Sequence, residues 1–267
     1  MILVNGLPAD CVSAQDRGLA YGDGVFRTTR LQRGRILHWE RQYERLAQDC
    51  AALDMTCPTR QSFEQDIDAV LARHDTGVVK LTVTRGEGRR GYAPHGVTTP
   101  TRLLHYAALP VYPDDWPHRG VMVRLCQLRL ARQPRLAGIK HLNRLEQVLA
   151  RAEWQDEEIF EGLLCDQRGW LISGTMTNLF ARQGNRLLTP RLSHCGVAGL
   201  TRDLVTESAS ALGLTVQEDT LTVEFLKTVD EVLLCNSLIG VWPVRCLDDK
   251  VWPVSGLAAA LREKLLN

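Results

Sequence analysis

The stretch Leu136-Ala-Gly-Ile-Lys140-His-Leu-Asn143-Arg-Leu-Glu-Gln147 decides how this chain is read, because it sets one lysine after a short apolar run and directly before a strongly helical segment. Apolar surroundings disfavour an ammonium, and a free amine is what attacks a carbonyl. Lys140 is therefore a candidate imine-former. Taken alone, a lysine whose stem lies on apolar surface at a strand end is the plainer reading, since most lysines are solvated.

Working outward from Lys140, Asn143 is a suitable N-cap for a helix running to about Gln155. Upstream, Pro110 to Gly120 carries Pro113, Pro117, Asp114, Asp115 and His118, which suit neither a helix interior nor a central strand. Residues 110–119 are thus expected to link an N-terminal domain, 1–109, to a larger C-terminal domain, 120–267, that carries Lys140. The first domain should open with a hairpin, its turn at Asn5-Gly6 and its second strand near Val12. A helix over 40–53 follows, with Tyr43, Leu46, Ala47, Cys50 and Ala51 on one stripe, then a second with Phe63, Ile67, Val70 and Leu71, and strands at 78–84 and 102–108.

Downstream, strands are expected at 121–128, 162–166, 170–173, 178–182, 214–218, 231–235 and 241–247. Helices should begin near Gly199 and Ser255. Helices and strands mix in both halves, so the class is α+β in two domains.

The 267 residues include 32 Lys and Arg against 31 Asp and Glu, a net charge of +1, which gives no global field for nucleic acid or an anionic membrane. Eight cysteines show no C-x-x-C pair and no metal-ligand spacing, and several sit in apolar runs, as small core residues of a reducing compartment do. No metal site is expected. With no signal-peptide pattern at Met1-Ile-Leu-Val and no run of membrane-spanning length, the expected location is the cytoplasm.

Four further segments bear on chemistry. Tyr21-Gly-Asp-Gly-Val-Phe26 is a turn with two glycines that leads into a strand-like run, Arg27 to Leu31. Gly196-Val-Ala-Gly-Leu-Thr-Arg202 opens a helix, where unpaired N–H groups and the dipole favour a phosphate; a plain glycine loop is the alternative. Leu234-Cys-Asn-Ser237 ends a strand with a hydroxyl. Arg85-Gly-Glu-Gly-Arg-Arg-Gly-Tyr92 gathers three arginines, suited to a carboxylate or to a solvated hairpin tip.

Together these segments resemble the class IV fold of pyridoxal-phosphate enzymes, which contains branched-chain and D-amino acid aminotransferases and 4-amino-4-deoxychorismate lyase. The resemblance spans nearly the whole chain: Asp16 to Gly24, Thr84 to Gly86 with Arg90 to Tyr92, Leu136 to Leu149, Asn178 to Phe180, Thr189-Pro190, and Cys235-Asn236 to Pro243-Val244. The run 136–149 is most similar to the lyase branch.

That resemblance implies a fold-type IV, D-amino acid aminotransferase-like architecture with the active site at the interface of two α/β domains, and pyridoxal 5'-phosphate as cofactor. It makes Lys140 the catalytic Schiff-base lysine and Arg45 a partner of the cofactor phosphate. The backbone of Leu200 and Thr201 and the hydroxyl of Ser237 would cradle that phosphate. Arg90 and Tyr92 would hold a substrate carboxylate across a homodimer. The implied reaction converts 4-amino-4-deoxychorismate to 4-aminobenzoate and pyruvate, a step of folate biosynthesis. An aminotransferase is the neighbouring activity, and a cofactor binder without turnover is the reading from another class. Two positions depart from the pattern: Ser173 stands where the family usually places a glutamate beside the pyridine nitrogen, and Arg27 replaces a glutamate or threonine, with a surface charge its only evident role.

Overall fold

A computed structural model describes residues 1–97 and 99–266. The chain divides into two compact units, Met1–Pro110 with Ile139–Asn143, and Val111–Gly138 with Arg144–Asn267. Helices and strands mix in both, an α+β arrangement. The division differs from the one expected. The segment around Lys140 packs with the N-terminal unit although it lies far along the chain, and the Pro-rich stretch belongs to the second unit.

The N-terminal unit runs β1 (Ile2–Val4), β2 (Leu7–Pro8), α1 (Arg17–Tyr21), β3 (Gly24–Gln32), β4 (Arg35–Ile36), α2 (Trp39–Ala52), α3 (Arg60–Leu71), β5 (Gly77–Thr84) and β6 (Thr101–Ala107). Its strands form one antiparallel sheet in the order β2-β1-β6-β5-β3-β4. Asn5 and Gly6 both take positive φ, as a two-residue hairpin turn requires. The second strand is Leu7–Pro8; Val12 lies outside it. Val25, Arg27, Thr29 and Leu31 alternate into the interior, where Phe63, Leu46 and Leu81 are fully buried. Each such side chain stabilises the fold by about 2 kcal/mol.

The buried stripe of α2 is rotated from the expected one. Gln42, Leu46, Asp49 and Cys50 face inward, while Ala51 is exposed and Ala47 half-buried. The physical reason is Arg27, which is no surface charge: it is 3% exposed and forms an ion pair with Asp49. A buried charge needs a partner, and that pair turns a polar face of the helix inward.

The second unit runs α4 (Trp116–Arg119), β7 (Val121–Leu130), α5 (Leu145–Arg151), β8 (Ile159–Asp166), β9 (Leu171–Gly174), β10 (Asn178–Gln183), β11 (Arg186–Pro190), α6 (Leu200–Ala209), β12 (Thr215–Asp219), α7 (Val223–Leu226), β13 (Glu231–Asn236), β14 (Gly240–Leu247), β15 (Lys250–Val251) and α8 (Leu257–Leu266). Eight strands follow the order β12-β11-β10-β13-β14-β7-β8-β9, with β15 paired to β14. The pairs β11–β12, β14–β7 and β7–β8 are parallel.

The Pro-rich stretch is no spacer. Pro117 fits the first turn of α4, and Tyr112 and Trp116 pack with Phe160 and Trp242, ring centroids 5.0–6.2 Å apart. On another part of the sheet, Val205 and Ala209 of α6 and Ala258 and Leu261 of α8 cover Phe180, Leu233 and Val241. The helix after Lys140 is shorter than expected. It starts at Leu145, and Asn143 donates its side-chain amide to Gly22 O at 3.2 Å instead of capping it.

Candidate active site

In the N-terminal unit, residues 140–142 pair with the start of β3 on the side opposite β5. Phe26 N donates to Lys140 O (3.0 Å), Leu142 N donates to Gly24 O (2.9 Å), and His141 stands opposite Val25. Gly24 is required there, because a Cβ would meet Val83 O at 2.5 Å and Leu142 Cδ1 at 2.7 Å. This pairing sets Lys140 opposite Phe26, and its Nζ lies 4.5 Å from the ring centroid. Lys80 of β5 brings a second ammonium to the same ring, at 4.8 Å.

The amide of Lys140 leaves the strand ladder and donates to Asp49 Oδ2 at 3.3 Å. Burial pushes the Asp49 carboxyl above its ordinary range, and the charge of Arg27 and the Lys140 amide pull against that rise. Arg45, half-buried one turn earlier on α2, also acts electrostatically on Asp49. Arg45, Arg27 and Asp49 thus form one charged group, to which the Lys140 backbone is tied.

Arg90 and Tyr92 lie on the loop after β5, and both are exposed, Tyr92 at 87%. The loop is tied to α1. Arg17 donates to Gly91 O (2.9 Å) and Tyr92 O (3.0 Å), the Tyr21 hydroxyl accepts from Gly91 N (2.9 Å), and the Tyr21 and Tyr92 rings are 5.5 Å apart. Arg17 itself is held by Asp23, which also accepts from Arg85, each at 2.8 Å. Burial raises the Asp23 carboxyl, but hydrogen bonds and charge from Arg85 and Arg17 outweigh it and hold the group below its ordinary value. Between this loop and α1 opens a hollow of about 1000 Å³ lined by Gln15, Tyr21, Glu87, Arg89, Arg90 and His95, so both arginines face it.

In the second unit, Gly199 caps α6 without a side chain, so the first-turn N–H groups of Leu200 and Thr201 get no acceptor from the cap residue. Asn178 clamps this turn, donating to Val197 O (2.8 Å) and accepting from Gly199 N (3.1 Å); a Cβ on Gly199 would meet its Oδ1 at 2.3 Å. Gly138 braces the same turn, accepting from Ala198 N and donating to Gly196 O, both at 3.0 Å. The hydroxyls of Thr201 and Ser237 stand 3.5 Å apart. Asn236 shapes the turn bearing Ser237 by accepting from Leu238 N (2.9 Å) and Ile239 N (3.0 Å). Backbone N–H groups at a helix start, joined by two hydroxyls, suit a phosphate.

Ser173 is buried on β9, beside a turn that a second carboxylate organises. Glu161, fully buried, accepts from the amides of Gly162, Thr175 and Met176 and the hydroxyls of Thr175 and Thr177. Burial pushes this carboxyl up, and the hydroxyls of Thr175 and Thr177 with the amides of Met176 and Gly162 oppose the rise. Gly174 gives it room, since a Cβ there would meet Glu161 Oε2 at 2.5 Å.

Sequence reasoning did not single out Asp49, Arg17 or Glu161 as site residues. For Arg27 and Asp49 a signal was present: Arg27 is in phase with Val25 and Leu31, and Asp49 adjoins Cys50 on the apolar stripe. Two charges in core phase imply a pair.

This fold and these residues define a member of a known class: the chain belongs to the amino-transferase class IV family, whose pattern matches residues 24–247. It is 37% identical to the aminodeoxychorismate lyase of Vibrio harveyi over 99% of both chains. It superposes on the crystal structure of 4-amino-4-deoxychorismate lyase from Pseudomonas aeruginosa with a TM-score of 0.94 at 44% identity, covering 99% of this chain and 98% of that one. A putative branched-chain-amino-acid aminotransferase of Methanocaldococcus jannaschii is 30% identical over 90% of this chain and 84% of its own.

Proposed function

We propose that the chain is a pyridoxal-phosphate-dependent lyase that converts 4-amino-4-deoxychorismate to 4-aminobenzoate and pyruvate, a step of folate biosynthesis. The observation that carries this reading is the full-length similarity to two lyases of that name, at 37% and 44% identity. The donor sets fit the cofactor. The open cap at Gly199 with the Thr201 and Ser237 hydroxyls suits its phosphate, and Lys140, restrained on an aromatic ring, suits its aldehyde.

Bound there, the cofactor supplies the electron sink that lets a proton leave the carbon next to nitrogen. Lys140 would hold the cofactor, and once the substrate's amine has displaced it, its freed amine would take the proton from the ring carbon that bears nitrogen. Loss of the enolpyruvyl ether from the neighbouring carbon releases pyruvate and leaves the ring aromatic. Arg45 and the Leu200, Thr201 and Ser237 groups would hold the phosphate, and Ser173 would offer a hydroxyl to the pyridine nitrogen. Arg90, with Tyr92, orients a substrate carboxylate, and Arg17 and Tyr21 fix the loop that carries them.

The working unit is a homodimer in the cytoplasm. Leu145, Val148 and Leu149, at 74%, 60% and 61% exposure, form an apolar stripe on α5 that a second copy would cover. All eight cysteines are thiols, five of them buried, as suits a reducing compartment. No described helix is long and apolar enough to cross a membrane.

Borohydride reduction of the cofactor-loaded protein, followed by peptide mapping, is expected to place a pyridoxyl adduct on Lys140, and 4-amino-4-deoxychorismate is expected to yield pyruvate. An adduct elsewhere sinks the site assignment. Amino-group transfer without pyruvate release would make the chain an aminotransferase, and binding without either would make it a silent binder.

A further inference from the structure

One of the two positions that depart from the family pattern, Arg27, is also wired to the lysine. Arg27 and Asp49 are 3% and 5% exposed, and they come from different elements, β3 and α2. Replacing a buried ion pair with apolar groups is often neutral or stabilising, so stability alone does not explain one. Here the carboxylate has a second task. Asp49 Oδ2 accepts from the Lys140 amide at the point where residues 140–142 leave the β3 ladder.

We propose that the Arg27–Asp49 pair is a positioning device for Lys140: Arg27 fixes the Asp49 carboxylate, and the carboxylate fixes the Lys140 backbone, so the side chain is presented across from Phe26. This rests on Lys140 being the cofactor-bearing lysine. A main-chain anchor of this kind restrains the Cα from which the amine swings, and an ångström of misplacement at a reacting group costs about a hundredfold in rate. The charged groups that face Asp49 are Arg27 from β3 and Arg45 from its own helix, while Lys80 of β5 reaches the Phe26 ring that Lys140 also meets.

The test compares two variants that both remove the buried guanidinium, so neither leaves it unpaired. Arg27→Met/Asp49→Asn keeps an oxygen for the Lys140 amide; Arg27→Met/Asp49→Leu does not. Both are loaded with pyridoxal phosphate and scored for reducible adduct at Lys140 and for kcat and KM of pyruvate release. The leucine variant is expected to fall tenfold or more below the asparagine variant in kcat and in the rate of adduct formation, with KM little changed, and the asparagine variant, which lacks the guanidinium that fixes its side chain, to fall between it and wild type. Equal kcat values for the two folded variants overturn the proposal.

A second measurement needs no variant to fold. Hydrogen exchange on wild-type protein, with and without cofactor, is expected to find the Lys140 amide protected to the level of the β3 core, and fast exchange there overturns the proposal as well. If wild type yields no adduct at Lys140 while that amide is protected, the cofactor assignment fails and the anchor stands.

Discussion

Lys140 and Phe26 stand opposite each other on paired segments, with the lysine Nζ 4.5 Å from the centroid of the ring. The ring face attracts a cation, by about 1 kcal/mol in a partly buried setting, and it also walls off the conformations in which the side chain would point elsewhere. Phe26→Leu keeps an apolar side chain, somewhat smaller, and removes the ring face. Cofactor incorporation at Lys140, followed by visible absorbance after mixing, is expected to slow about fivefold in this variant. An unchanged rate would mean that the ring does not orient the amine.

The turn before α6 has no tolerance for a side chain at Gly199, where an added Cβ would lie 2.3 Å from Asn178 Oδ1. Gly199→Ala must therefore displace the amide that clamps Val197 and Gly199. The first-turn N–H groups of Leu200 and Thr201 would then be misaligned for a phosphate. Affinity for pyridoxal phosphate is expected to fall about tenfold or more, with a stability loss of about 1–2 kcal/mol. Titration that returns the wild-type dissociation constant would remove this turn from the phosphate site.

How much of this was legible beforehand differs by kind of interaction. Helical periodicity placed α2 within a residue or two and found the inward stripe of α3, and β-propensity with turn residues placed β5, β8, β10, β12, β13 and β14, because local spacing decides those elements. The short pieces α1, β4, β11 and α7 escaped, since two to five residues carry little periodicity. Lys140, Arg90 and the 196–202 turn stood out because each sits in a contiguous motif. Asp49 and Glu161 did not, because their meaning lies in partners far along the chain: Asp49 finds Arg27 and Lys140 at separations of 22 and 91 residues. The extent of α5 failed for a related reason, with Asn143 drawn to Gly22 rather than to the helix start.

Ser173 invites a change of reaction. If Ser173 stands beside the pyridine nitrogen as proposed, a glutamate in its place would keep that nitrogen protonated and strengthen the electron sink, which matters most when a proton must be returned to the cofactor, as in amino-group transfer. Elimination driven by aromatisation needs that sink less. Ser173→Glu is expected to raise transfer activity relative to pyruvate release by roughly tenfold, about 1.4 kcal/mol of differential barrier. If the ratio of the two activities stays put, serine at this position has another explanation.

Asp23 gives the loop after β5 a dependence on acidity. Its folded pKa is depressed by Arg85 and Arg17, so its contribution to stability is fully present above the unfolded value near 4 and is lost as pH falls through the folded value. Comparison of wild type with Asp23→Asn by thermal unfolding should therefore show a gap at pH 7, about 2–4 °C for the ~1 kcal/mol left after solvent screening, that narrows as pH falls below the unfolded value. A gap that is constant across this range would show that the charge on Asp23 plays no part in holding Arg17.

The stripe Leu145, Val148 and Leu149 makes the quaternary proposal testable without any substrate. Three adjacent apolar side chains at 60–74% exposure on one seven-residue helix are costly to leave in water, and a stable dimer covers about 800 Å² per partner. Val148→Glu puts a charge in the middle of the stripe while leaving the buried Ala150 of the same helix untouched. Burying that charge without a partner costs several kcal/mol, enough to weaken self-association a hundredfold or more. Sedimentation is expected to find wild type as a dimer and the variant as a folded monomer at micromolar concentration. A wild type that sediments as a monomer, or a variant that dimerises as tightly as wild type, would detach α5 from the interface.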